Sequence, residues 1–143
     1  MPSNLSPKSL GEWAEVCFLE KTTERGFVVS RPWGDNARYD FVVDSGSRLW
    51  RVQVRSSAQL DAGVFRIATG SGAHKRPYTA REIDLLAALV VPRRVWYLIP
   101  IQEIAPRTSI QLCPHRPSRR RWEKFRDNWS IFGSGLLKGG AGL

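Results

Sequence analysis

The chain has few of the side chains that bind soft metals or form disulfides: two cysteines and two histidines in 143 residues. Cys17 and Cys113 have no metal-ligand spacing, which argues against a dedicated zinc site. Cys17 lies among apolar residues and reads as core packing. No apolar run approaches the roughly 20 residues that span a bilayer, so no membrane partner is expected. The stretch Met1–Ser9 is polar and rich in Pro and Ser. It lacks the apolar segment of a secretory signal, and a cytoplasmic location is the expectation. Acidic residues are also scarce: 13 Asp and Glu stand against 22 Lys and Arg, a net charge of +9 with a pI near 10.4. Internal repeats and long low-complexity tracts are absent.

What is present suffices for a globular domain. Hydrophobic residues make up 42% of the chain, with six Trp and six Phe among them. At this length roughly two-thirds of the unfolded surface can be buried without a staple. One domain over 1–143 is expected, with a core at about 9–105 and a basic C-terminal extension over 106–143. Gly and Ser dominate from Gly133 onward, where a flexible end is expected. The charge is uneven. Up to Pro92 there are 12 basic and 10 acidic residues; from Arg93 onward there are 10 and 3. That asymmetry points to a polyanionic partner, with nucleic acid first.

Periodicity predicts the elements. Leu10, Trp13, Ala14, Cys17 and Phe18 recur at helical spacing, Ser9 and Glu12 form a capping-box pattern, and Gly26 follows the last turn. A helix over about Leu10–Arg25 is predicted. The period then changes to two. Phe27–Ser30, Tyr39–Asp44 and Leu49–Arg55 read as strands, the last two joined by a turn at Ser45-Gly46-Ser47. In Leu49–Arg55 the residues Trp50, Val52 and Val54 share one face, and Leu49, Arg51, Gln53 and Arg55 the other. Val64–Ile67 reads as a fourth strand and Gly70–Pro77 as a loop. Thr79 and Glu82 repeat the capping pattern and predict a second helix through about Leu89. Val95–Ile99 reads as a strongly apolar strand, Ser109–Leu112 as an edge strand, and Arg119–Trp129 as a short helix or ordered tail.

One corner of this arrangement can carry chemistry. Asp40 falls at the start of the second strand, and Gln53 and Arg55 stand two apart on the third, so the hairpin brings all three together. The opening helix must pack on the same sheet and can add a carboxylate. At 100° per residue Glu12 lies nearly opposite the apolar face and has a capping role with Ser9. Glu15 lies at the rim of the buried face, where a side chain can look into a site while the helix stays docked, and is favoured over Glu12.

The run Gly11-Glu12-Trp13-Ala14-Glu15, then Gly26-Phe27-Val28-Val29, Tyr39-Asp40 and Gln53-Val54-Arg55, resembles the PD-(D/E)xK nuclease superfamily. It looks most like the small bacterial group that includes group I intron homing endonucleases; Arg31-Pro32-Trp33-Gly34-Asp35 adds to the likeness. The resemblance covers about Gly11–Ile104. It implies an α/β fold with a restriction-endonuclease-like αβββαβ core, a mixed central sheet flanked by helices. It further implies phosphodiester hydrolysis of DNA with a Mg2+-activated water as nucleophile, Mn2+ being a possible substitute. Residue by residue, it places the helix acid at Glu15, the invariant Asp at Asp40, the third-motif acid at Gln53 and the motif Lys at Arg55. Asp40, Glu15 and Gln53 would then hold the metal. Two departures bear on catalysis. Arg55 stays protonated and cannot act as a general base, and Gln53 removes a negative charge from the metal site.

The remaining cations are candidate nucleic-acid contacts: Lys75 and Arg76 in the loop, and Arg119, Arg120, Arg121 and Lys124 interleaved with Trp122, Phe125 and Trp129. The spacing of those three aromatics also suits packing onto the domain. RNA is not excluded as the partner. Symmetric cutting of two strands needs two sites, so a homo-oligomer is expected. The rival readings are a non-catalytic nucleic-acid-binding module on the same fold and an assembly protein with incidental charge.

Overall fold

Pro7 at the first turn and Ser6 before it start the opening helix. Proline has no N–H to lose there, and the Ser6 Oγ accepts from the Ser9 N–H at 3.2 Å. In the computed structural model, which describes residues 4–116 and 121–133, this helix α1 runs Pro7–Thr23. The cap is therefore Ser6 and not Ser9, a full turn earlier than the capping-box pattern predicts, and Glu12 is an exposed side chain within the helix. Gly26 takes a φ of +81° just beyond the helix end.

Three antiparallel strands follow: β1 (Val28–Ser30), β2 (Phe41–Asp44) and β3 (Leu49–Ser57). β3 then pairs in parallel with β7 (Leu85–Val90), and β7 pairs antiparallel with β8 (Val95–Pro100). The result is a five-stranded mixed sheet of order β1-β2-β3-β7-β8. Between β3 and β7 lie β4 (Phe65–Ala68) and a small hairpin of β5 (Gly70–Ser71) and β6 (Arg76–Pro77). After the short helix α2 (Ile101–Ile104), β9 (Ser109–Leu112) returns to pair with β4 as a separate two-stranded ribbon.

The mixed sheet flanked by helices is the expected architecture, but the second helix is not where the capping pattern puts it. Thr79 does bond Glu82, through its N–H at 3.2 Å and its hydroxyl at 3.0 Å. That pair stabilises a turn, and Leu85–Val90 continues as the strand β7, all six residues buried. A short unbroken apolar run lacks the polar face that would separate a helix from a strand buried on both sides. Here partners decide, because β7 is hydrogen-bonded to β3 and β8 on its two edges.

Each face of the sheet carries its own core. Under α1, Ala14 and Phe18 meet Phe41, Val43, Val52 and Val54, closed by Trp96, Trp129 and Phe132. Phe18 is fully buried against Phe41, ring centroids 5.6 Å apart. Cutting Phe18 back to Ala should cost about 3–5 kcal/mol. The opposite face packs Leu86, Ala88, Tyr97 and Ile99 against the inward residues of the β4–β9 ribbon, together with Trp122 and Phe125. Trp122, Phe125 and Trp129, whose spacing suits packing onto the domain, do fill the core, and all three are at least nine-tenths buried. Among the described residues, no helix is long and apolar enough to cross a membrane.

Candidate active site

The β2–β3 hairpin ends in a substitution of side chain for backbone. Asp40 stands just before β2, its N–H donating to the Val52 carbonyl oxygen at 2.9 Å. Its Oδ2 then accepts the Val54 N–H at 2.8 Å. That bond fixes one carboxylate oxygen against β3 and aims the group at the sheet corner. Gln53, with its amide nitrogen turned toward the acceptors, donates to the Arg38 carbonyl oxygen at 2.6 Å and to Asp40 Oδ2 at 3.3 Å. Gln53 is buried, not on the solvent side of its strand.

Glu15 reaches the same corner from α1. It is half-buried, whereas Glu12 is exposed, so the rim position separates the two acids as the helical wheel predicts. Burial raises the Glu15 pKa above the ordinary carboxylate range, and the Asp40 charge raises it further, against the pull of Arg31. Burial likewise raises Asp40, opposed by the Val54 N–H and by the Arg55 and Arg31 guanidinium groups. Both acids are held above their ordinary pKa, and a cation beside them would favour their ionised forms.

Arg55 completes the corner. It lines a cavity of about 270 Å3 together with Glu15, Gly11, Ala14 and Val54. Its Nη2 donates to the Tyr78 hydroxyl, its guanidinium lies 5.5 Å from the Tyr78 ring centroid, and its Nε is buried without a partner. Arg38 covers the same ring at 4.4 Å and ties the corner together, bonding Glu82, Ser71 and the carbonyl oxygens of Arg76 and Pro77. The structure thus brings Glu15, Asp40, Gln53 and Arg55 to one place.

Sequence reasoning missed Arg31, Arg38 and Tyr78. Arg31 Nη2 pairs with Glu15 Oε1 at 3.0 Å while two-thirds exposed, and its guanidinium lies 5.3 Å from the Phe41 ring centroid. Its place in the same turn-bearing stretch as Asp40 is the one signal that could have found it. Of the expected nucleic-acid contacts, Lys75 is exposed and lines a groove with Arg55, whereas Arg76 is ion-paired to Glu82 at 3.0 Å. Arg121 and Lys124 are exposed. Arg119 and Arg120 lie outside the described residues. Cys113 is buried, Cys17 is half-buried with its thiol pKa pushed up by burial, and neither forms a disulfide.

A helix packed on a mixed sheet of this order is the restriction-endonuclease-like class of fold. The family model of the PD-(D/E)XK endonucleases matches residues 5–131, and the chain belongs to that family. A search of curated proteins returned no match. Among solved structures, the bacterial homing endonuclease I-Ssp6803I superposes with a TM-score of 0.75 at 24% identity, covering 95% of this chain and 98% of that one. The Holliday junction resolvase Hjc from Archaeoglobus fulgidus superposes at 0.55 with 15% identity, covering 86% of this chain and 95% of that one. At these identities the two structures speak for the fold.

Proposed function

We propose that the protein is a divalent-metal-dependent DNA endonuclease that cleaves phosphodiester bonds at the corner formed by Glu15, Asp40, Gln53 and Arg55. The observation that carries this is the half-buried carboxylate pair, contributed by α1 and by the start of β2, in which each acid is held above its ordinary pKa and Asp40 acts directly on Glu15. The two carboxylates are hard oxygen ligands of the kind Mg2+ and Mn2+ take, whereas Gln53 presents its amide nitrogen to Asp40, so the amide oxygen expected as a third ligand is not turned to the site. The bound ion would supply a nucleophilic water and neutralise charge on the phosphate.

The chain's own residues divide the remaining work. Asp40, fixed by the Val54 N–H, would hold the ion with its carboxylate, and Glu15 would add the second carboxylate. Gln53, donating to the Arg38 carbonyl oxygen and to Asp40 Oδ2, keeps that carboxylate in position. Arg55 cannot take a proton from water, so its part is to hold a phosphate oxygen and oppose the negative charge that develops there. Arg31 is two-thirds exposed and can meet the same phosphate. Cutting both strands requires two such corners, and a homo-oligomer is part of the proposal.

The test is plasmid nicking by the full chain with Mg2+, with Mn2+ and with chelator, alongside Asp40→Ala. Cutting that needs the ion and disappears in Asp40→Ala, with DNA binding retained, is expected. Cutting that persists in Asp40→Ala overturns the assignment. A second reading, a binding module without turnover, draws on Arg55 being held by Tyr78 and on the Gln53 amide nitrogen facing Asp40. It requires salt-dependent binding without metal and no cleavage under any divalent ion.

A further inference from the structure

The β4–β9 ribbon is not hydrogen-bonded to the main sheet, and its two faces differ completely. Phe65, Ile67, Ile110 and Leu112 point inward and are buried. Arg66 and Ala68 on β4 and Ser109 and Gln111 on β9 alternate with them and point outward. In register, Arg66 stands opposite Gln111 and Ala68 opposite Ser109. The inward residues anchor the ribbon, so its outer side chains project from a rigid base.

Two grooves flank this face. One, of about 650 Å3, is lined by Arg55, Arg66, Lys75 and Ser109 among others. The other, of about 400 Å3, is lined by Arg107, Ser109, Gln111 and Arg121 among others. They share Ser109, and Arg55 also lines the cavity containing Glu15. A cationic track therefore runs from the carboxylate corner across the ribbon. Among the described residues lining the two grooves there is no carboxylate. Arg66 does have an exposed partner in Asp61, at 3.5 Å. An ion pair that exposed is worth little and exchanges readily.

We propose that the outer face of the β4–β9 ribbon reads base edges in the major groove of duplex DNA, with Arg66 and Gln111 as the specificity-determining pair and Lys75 and Arg121 on the flanking phosphates. The proposal rests on the endonuclease reading above. A major groove about 12 Å wide admits a two-stranded ribbon, whose strands lie about 4.8 Å apart. Arg matches the paired acceptors of guanine, Gln the acceptor and donor of adenine, and Ser can serve as donor or acceptor. A face whose only task was solubility would have no need to place these two residue types opposite each other at the meeting of two grooves.

Selection of a randomised duplex library by the full chain in chelator, where cutting is silent, tests this. The wild type should enrich a defined site. Arg66→Lys keeps the charge but loses the fork, and Gln111→Ala changes no charge. Each should lower discrimination at one or two neighbouring positions about tenfold to a hundredfold, with affinity for unselected duplex nearly unchanged. Lys75→Ala and Arg121→Ala should weaken all sequences alike and each reduce the salt slope by about 1. Enrichment of the wild-type site by both Arg66→Lys and Gln111→Ala overturns the proposal, as does wild-type binding without any sequence preference. Failure of the wild type to bind duplex at low salt overturns the endonuclease reading itself, and the base-reading role with it.

Discussion

Asp40 and Asp84 are both aspartates beside β3, and their electrostatic states are opposite. Asp84 accepts from the Arg51 N–H at 2.8 Å, and its two oxygens meet the Arg51 guanidinium at 3.0 and 3.1 Å, with Arg48 at 3.5 Å. Burial acts to raise its pKa, but the bonds from Arg51 outweigh burial and hold it below the ordinary aspartate value. Asp40 has one backbone N–H and more distant guanidinium groups, and burial wins. The first arrangement is closed: the Asp84 carboxylate is met by two guanidinium groups. The second is open, and an open acidic corner is where a cation gains most. What separates Asp84 from Asp40 is whether a guanidinium is already in contact with the carboxylate.

Exchanging the losses of function and stability is the strongest way to break this contrast. Asp40→Ala should lower cleavage by at least about a hundredfold, while Asp84→Ala leaves the corner intact but costs about 1–3 kcal/mol of stability by orphaning the Arg51 N–H and guanidinium. Nicking assays and thermal melts on both variants decide it; an Asp84→Ala protein that melts like wild type removes the distinction.

Arg55→Lys comes next in size. Lysine can shed its proton where arginine cannot, and cleavage should rise about tenfold in single-turnover assays at neutral pH. Unchanged or lower cleavage would mean that the Tyr78-held guanidinium is the better fit for the phosphate.

The pH dependence sharpens the same comparison. Because the Glu15 and Asp40 pKa values are raised, binding of the proposed metal should fall away at a higher pH than for ordinary carboxylates as the solution is acidified. Asp84 has a lowered pKa, so its contribution to stability is fully present above the ordinary value of 3.8 and is lost only as pH falls through its own lower value. Metal titration followed by calorimetry, together with melts across pH 3 to 8, should therefore show metal affinity failing before the Asp84 contribution does. The smallest effect is expected at Glu12: Glu12→Gln should change cleavage less than about twofold, whereas Glu15→Gln should reduce it at least about tenfold.

Much of the corner was legible in the sequence because it rests on local rules. The helical wheel separated Glu15 from Glu12, and a tight hairpin made Asp40 a neighbour of Gln53 and Arg55. Where readings failed, the deciding partner lay far away in the chain. Leu85–Val90 is a strand because β3 and β8 pair with its edges, a fact no local pattern contains. Gln53 is buried because the Arg38 carbonyl oxygen and Asp40 accept its amide. Arg38 and Tyr78 matter through contacts across the chain, Arg38 covering the Tyr78 ring and Arg55 bonding its hydroxyl, and sequence periodicity has no means of showing them. The paired outward residues Arg66 and Gln111 are separated by 44 intervening positions and become neighbours only when β9 returns to β4.

The ribbon's independence from the main sheet carries an evolutionary consequence. Its outward side chains lie apart from the ladder that seats Asp40 and from the docking of α1, so substitutions at Arg66 and Gln111 should leave the proposed hydrolytic corner undisturbed. On the base-reading proposal, a lineage built on this scaffold would acquire new addresses in a genome through a handful of surface changes while the carboxylate corner is inherited intact.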